Sequence, residues 1–361
     1  MGRGIRPLLH GLEGTSLTAD ERVFIKDAPP MGFLLFARNI ASAEQTRELC
    51  AELAELSPFK TPLIAVDQEG GRVQRIKFGG KLPPAKVFGE WYSGNGMQAE
   101  AAALEGVYLD GFLLAAQLRD VGATWLLGPL IDVANAATHA IIGDRSFSEN
   151  PQAVITLAKA YAKGVEAGGC LRCLKHAPGH GRAVVDSHHE LPLVEVSRAE
   201  LEADMLPFKT MAADEDFLMT AHIRYAALDA VEPATYSKPI LEMMRREWDF
   251  GGVILADDVG MKALQGDYVG RVERSLAAGC DVAITALSVL KHGMAGTVFD
   301  SENFEALRKA ELPVLNARAE AYLNSLSLPA PPGAEEVGAA RARLQELWAD
   351  GPARLGYTLE L

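Results

Sequence analysis

Three features of this 361-residue sequence predict an α/β fold, a single-domain TIM-like (β/α)8 barrel with C-terminal helices. Short apolar runs alternate with amphipathic stretches of ten or more residues, the pattern of parallel strands joined by helical crossovers. A polar residue follows nearly every run on its C-terminal side: Asp67, Asp132, His176, His222 and Asp257. In a barrel all such ends open on one face, whereas a doubly wound sheet gathers ligands only near its switch point, so five ends spread along the chain favour the barrel. No dinucleotide fingerprint competes: Asp67-Gln68-Glu69-Gly70-Gly71-Arg72 has adjacent glycines, not the spaced G-x-G-x-x-G.

Taken in order, Gly32-Phe33-Leu34-Leu35-Phe36 is a strand, and Ser42-Ala43-Glu44-Gln45 is a capping box opening a helix to about Ala54. Pro62 to Val66 is the next strand, ending at Asp67, and beyond Leu82-Pro83-Pro84 the stretch from Met97 to Leu118 has helical periodicity. Further strands are predicted at Thr124–Leu127, Leu171–Leu174, Phe217–Met219, Val253–Leu255 and Val282–Ile284. Between them lie predicted helices at Pro151–Ala167, Ser197–Ala212, Lys238–Glu247 and Tyr268–Ala278. A helix is predicted from Ser301 into the 320s, a break at Leu328-Pro329-Ala330-Pro331-Pro332, and a last helix near Ala334 to Trp348. The expected organisation is a catalytic barrel over 1–300 and a helical extension over 301–361 packed on it.

Composition narrows the function classes. Hydrophobic residues make up 48% and charged residues 23%, a composition that does not favour disorder. The formal charge of −13 and the lack of a basic patch argue against nucleic acid, though one local Arg or Lys still suffices for an anionic small substrate. Leu8 to Gly14 is too broken for a signal core, and the longest apolar-looking stretch, Ala123 to Ile142, carries Asp132, Asn135 and His139. No membrane span is expected, and the default is a soluble cytoplasmic protein, a monomer or weak dimer. Cys170-x-x-Cys173 admits a metal or redox reading, but without a second ligand pair it fits buried thiols in a strand better. No cofactor is expected.

Residues 175–192, Lys-His-Ala-Pro-Gly-His-Gly-Arg-Ala-Val-Val-Asp-Ser-His-His-Glu-Leu-Pro, form a polar segment with little capacity to fill a core. Paired with the strand-end carboxylate Asp257, it points to a hydrolase. Retaining cleavage of a glycosidic bond needs a carboxylate to attack the anomeric carbon and a second group to protonate the leaving oxygen. Asp257 suits the first role, with a plain structural strand end as its alternative, a reading that fits Asp258 better. His188 suits the second: Asp186, two residues earlier, can fix one ring nitrogen while the other faces substrate. The alternative for His176, His180, His188 and His189 is a zinc site. Lys175 and His176 can donate to sugar hydroxyl oxygens and Asp67 can accept from hydroxyl protons. Arg72, Arg75 and Arg145 are further candidates, with ordinary loop salt bridges as their alternative.

The chain resembles family three glycoside hydrolases, specifically the bacterial beta-N-acetylglucosaminidases of cell-wall recycling, over about residues 10–290. The resemblance rests on blocks in the family's order: Gly32-Phe33-Leu34-Leu35-Phe36-Ala37-Arg38-Asn39, Asp67 to Arg75, Ile142-Gly143-Asp144-Arg145-Ser146-Phe147, Lys175 to Pro192, Met219-Thr220-Ala221-His222-Ile223, Pro233 to Ser237, and Ala256-Asp257-Asp258. It implies Asp257 as nucleophile, His188 as acid/base oriented by Asp186, and Asp67, Arg75, Arg145, Lys175 and His176 as ligands of the N-acetylglucosamine unit. It implies a single barrel without the second domain of plant and fungal relatives, a mobile His-bearing loop, and GlcNAc-β-1,4-anhydroMurNAc, with or without peptide, as substrate. Phosphorolysis in place of hydrolysis and a broader hexosaminidase specificity are the alternatives. Two departures stand out: Ala177 where the family usually has Phe, and Ala256 where it usually has Ser before the nucleophile.

Overall fold

The computed structural model describes residues 4–94, 96–290 and 297–361. Eight parallel barrel strands are present among them: β1 Arg6–Gly11, β2 Pro30–Leu35, β3 Ile64–Val66, β4 Trp125–Leu126, β5 Leu171–Arg172 continuing as Leu174–Ala177, β6 Phe217–Thr220, β7 Val253–Ala256 and β8 Val282–Thr285. Each pairs in parallel with its neighbours in sequence, and β8 returns to β1 through Leu8↔Ala283 and Leu9↔Ile284. The two parts of β5 sit at opposite ends of the strand order, so the sheet closes on itself. Closure removes the edges an open sheet would expose.

The intervening helices are α1 Ala19–Asp27, α2 Ala43–Glu55, α3 Ala85–Tyr92, α4 Met97–Asp120, α5 Pro151–Ala167, α6 Arg198–Met211, α7 Lys238–Arg246 and α8 Tyr268–Ala278. Strand β1, helix α1 and helix α3 were not predicted. In β1 the polar His10 and the glycine after it hide the apolar pair Leu8-Leu9, yet all six strand residues are buried. Helix α1 carries a complete capping box, Thr18 with Glu21, two positions that a reading for apolar runs passes over. At α2 the predicted box is half made: Ser42 accepts from the Gln45 backbone, but Gln45 Oε1 takes the Ala41 N–H instead of the Ser42 N–H.

Helix α4 is apolar and long enough to pass for a membrane span by composition. In the fold it packs on α3, α5 and a C-terminal helix, which accounts for its apolar surface. The predicted helix from Ser301 into the 320s is two helices, α9 Ser301–Lys309 and α10 Ala317–Ser325. Pro313, in the segment between them, has no N–H to donate and pushes its predecessor out of the helical region. Helix α9 sets Phe304 against Phe24 of α1, with ring centroids 5.6 Å apart. Helix α11, Ala334–Asp350, lies on α4.

Two apolar clusters flank the strands. The outer one joins strands to helices. The inner one fills the barrel with Leu9, Leu34, Ala65, Trp125, Cys173, Met219, Leu255 and Ile284, and is closed from below by Leu315, Ala319 and Leu323. Strand alternation sorts the cysteines likewise: Cys170 belongs to the outer cluster and Cys173 to the inner, and both are buried free thiols, as expected.

Candidate active site

The same alternation builds the site. Inward positions run Leu63, Ala65 and then Asp67 on β3; Leu171, Cys173 and then Lys175 on β5; Val253, Leu255 and then Asp257 on β7. With period two, each polar side chain is the next inward residue above the apolar filling, so all three project into the barrel mouth. There a cavity of about 850 Å³ is lined by eight of the candidate residues, Asp67, Arg75, Arg145, Lys175, His176, Asp186, His188 and Asp257.

On one side lies a charge network. Lys175 Nζ stands 2.8 Å from Asp67 Oδ1 and 2.5 Å from Glu69 Oε1. Arg145 grips Glu69 with two parallel bonds, 2.7 Å from Nε and 2.8 Å from Nη2. Burial works against the charge on Glu69, but Arg145 and Lys175 outweigh it and hold the carboxyl below the usual range. Burial likewise opposes the Lys175 charge, yet Asp67 and Glu69 push its ammonium above its ordinary value. Arg75 approaches Asp67 at 4.0 Å. Lys175 is thus first an ion-pair partner that holds Asp67 in place, and a sugar donor only with its remaining proton. The sequence assigns Glu69 no role; its partners come from the segment after β4 and from strand β5, and nothing local distinguishes it from a surface acid.

The segment 175–192 is not wholly a surface loop, contrary to expectation. Residues 175–181 are buried, because β5 continues through Ala177 and Asp132 reaches in from the long loop after β4. Asp132 Oδ1 accepts the backbone N–H groups of His176 at 3.1 Å and His180 at 2.7 Å, while Oδ2 lies 2.8 Å from His176 Nδ1. Burial would neutralise Asp132, but His176 and His180 hold it ionised. His176 Nδ1 is thereby taken, which leaves Nε2 for the cavity.

Asp257 stands just beyond the end of β7 in the cavity wall, with the Asp258 N–H donating to its Oδ1 at 2.8 Å. Burial raises its pKa, but the larger sum of His176, His222 and that N–H lowers it below the usual value. A carboxylate kept ionised is ready to attack. Asp258, also on the cavity wall, accepts from the Gly260 and Ala286 N–H groups at 3.1 Å each, and so ties the β7 turn to the end of β8. Burial pushes its pKa up to about 6.

Asp186 Oδ1 takes both the backbone N–H of His188, at 2.9 Å, and its ring Nδ1, at 2.7 Å. Burial opposes the Asp186 charge, but these bonds win and keep its pKa low. The loop rests on the turn after Asp257: Ala263 N–H donates to Ser187 O at 3.2 Å and Lys262 N–H to His188 O at 3.4 Å. Arg72, by contrast, braces residues 140–144 through Asp144 at 2.8 Å and does not line the cavity. Ala177 and Ala256 both face the outer cluster, so neither departure changes the cavity wall. Among the described residues no group of three His, Cys, Asp or Glu side chains is placed to hold a metal ion.

A strand-end carboxylate and a carboxylate-oriented imidazole sharing one cavity at the top of a (β/α)8 barrel define a glycoside hydrolase. The chain belongs to glycosyl hydrolase family 3, whose N-terminal domain pattern matches residues 11–310. It is 39% identical over 283 residues to a beta-hexosaminidase of Stenotrophomonas maltophilia, covering 77% of this chain and 82% of the relative. A beta-hexosaminidase of Xylella fastidiosa is 40% identical over the same coverage. Among solved structures, NagZ from Neisseria gonorrhoeae in complex with N-trifluoroacetyl-D-glucosamine superposes with a TM-score of 0.82 at 31% identity, covering 96% of this chain and 98% of that one.

Proposed function

We propose that this protein is a retaining exo-beta-N-acetylglucosaminidase acting on GlcNAc β-1,4-linked to anhydroMurNAc, with or without peptide, in the cytoplasm. The observation that carries the reading is Asp257, ionised at the end of β7, in one cavity with an imidazole whose Nδ1 is bound by Asp186. In the first step the Asp257 carboxylate attacks the anomeric carbon while His188 Nε2 gives its proton to the departing oxygen. In the second, His188 Nε2 takes a proton from water, whose oxygen displaces Asp257 with net retention. Asp186 accepts a hydrogen bond from Nδ1–H throughout, stays ionised and stabilises the imidazolium. Asp67, Arg75, Arg145, Lys175 and His176 are assigned to the GlcNAc unit, and the protein is taken to work as a monomer or weak dimer.

A second reading, phosphorolysis, keeps every residue and replaces water by phosphate. It is favoured by Arg38 and Lys262, two cavity-lining cations that have no carboxylate ion pair among the described residues. Incubation with an aryl β-GlcNAc, with and without phosphate, decides between them. Initial release of β-GlcNAc at a rate indifferent to phosphate supports hydrolysis, and GlcNAc-1-phosphate overturns it. Equal turnover of the aryl β-GalNAc epimer would broaden the specificity to hexosaminides in general.

A further inference from the structure

We infer that His180 and Ser187 form a latch that positions the His188 loop over the sugar pocket; what the latch does in catalysis rests on the glycosidase reading. Of the side chains on either side of Ser187, His188 is exposed at 48% and Asp186 is partly buried at 19%, yet Ser187 itself is 2% exposed. Its hydroxyl points back into the fold, to 3.4 Å from His180 Nε2. That contact is the only hydrogen bond the His180 ring makes among the described residues, because its Nδ1 is buried without a partner. Burying a hydroxyl and an imidazole together costs free energy unless they satisfy each other, so this contact is what holds Ser187 inward.

His180 is itself well fixed. Its backbone N–H is bound by Asp132, the carboxylate that also holds His176, and its ring stands edge-on to the His176 ring at 5.5 Å and 66°. On the far side of Ser187, its carbonyl accepts from Ala263 in the turn after Asp257. Ser187 is therefore clamped between the end of β5 and the end of β7, and its two neighbours are the members of the acid/base dyad. A loop freed at this residue keeps the Asp186–His188 bond, which is local, and loses only its register over the leaving oxygen. His180 and Ser187 are positioning residues; neither touches the reacting atoms.

Ser187→Ala tests this with two readouts. On aryl β-GlcNAc substrates, kcat/KM is expected to fall about tenfold for a poor leaving group and by no more than about twofold for an activated one, because only the former needs a well-placed proton. Equal losses on both substrates, or no loss on either, overturn the latch. Amide hydrogen exchange over residues 183–190 is independent of what the protein cleaves. It is expected to speed severalfold in the variant with the barrel strands unchanged, and unaltered exchange overturns the latch even if the wild-type protein turns over no GlcNAc substrate. Absence of wild-type turnover with faster exchange in the variant sinks the glycosidase reading and leaves the latch standing.

Discussion

Single residues in this site are defined by what each partner leaves free. Asp186 occupies His188 Nδ1 and Asp132 occupies His176 Nδ1, so both rings turn their other nitrogen to the cavity. Replacing Asp257 by Ala is expected to lower kcat by about 10⁴-fold or more on every substrate, read from initial rates. His188→Ala is expected to slow poor leaving groups far more than activated aryl ones, and equal slowing would remove its acid/base role. Two other histidines matter for stability against pH. Burial lowers the His10 pKa to about 3 and the His180 pKa to about 4, from an ordinary value of 6.5. Below pH 6.5 the unfolded chain binds protons at these positions that the folded chain refuses, so their contribution to stability falls as pH drops from 6.5 through those values. Urea unfolding at pH 7 and pH 5 measures it: His10→Phe, in a pocket already lined by Phe24 and Phe304, is expected to flatten the slope.

Among the elements, β5 and the loop after β4 depend most on each other. The Asp132 carboxylate serves two backbone N–H groups and one ring, all buried, and none has another acceptor among the described residues. Asp132→Ala strands them together, and is expected to cost about 3 kcal/mol or more in denaturant unfolding. Asp132→Asn keeps one acceptor oxygen and is expected to cost less, which separates the backbone bonds from the carboxylate's charge. On the sequence side, Asp132 was legible as a polar strand end, but not as the anchor of β5, because its partners lie 44 and 48 residues away.

Over the whole molecule, the two ends of the barrel divide stability from chemistry. At the bottom, Ala319 and Leu323 of α10, with Leu315 just before it, seal the inner cluster, and the helix is pinned by Arg318 to Asp281 at 2.6 Å and to the Gly251 and Gly252 carbonyls. Asp281 also binds Arg245 of α7 and Asn316, so one carboxylate gathers the floor. Leu323→Ala opens a cavity there, at a cost of about 3 kcal/mol. Because the catalytic mouth is at the opposite end, kcat/KM on an aryl β-GlcNAc is expected to stay within about twofold at temperatures where the variant is folded. A large loss of activity in the folded variant would show that floor and mouth are coupled.

By itself, the sequence determined the alternation of strand and helix and the barrel, and it offered Asp257 and the Asp186–His188 pair as candidates, because apolar period, turn chemistry and a two-residue spacing are local properties. Helices α5 and α8 are found with the limits their periodicity predicts. Only the tertiary structure decided that Lys175 neutralises Asp67 and Glu69, that Asp132 stands behind both His176 and His180, and that Ser187 turns inward. It also decided that the chain's first strand is β1, since an interrupted apolar pair becomes a strand only when β2 and β8 supply its hydrogen bonds. The physical reason is common to all of these. A buried charge or hydroxyl is stable only beside its partner, and those partners are chosen by how strands and loops pack at the barrel mouth, over separations from 7 residues for His180 and Ser187 to 108 for Asp67 and Lys175.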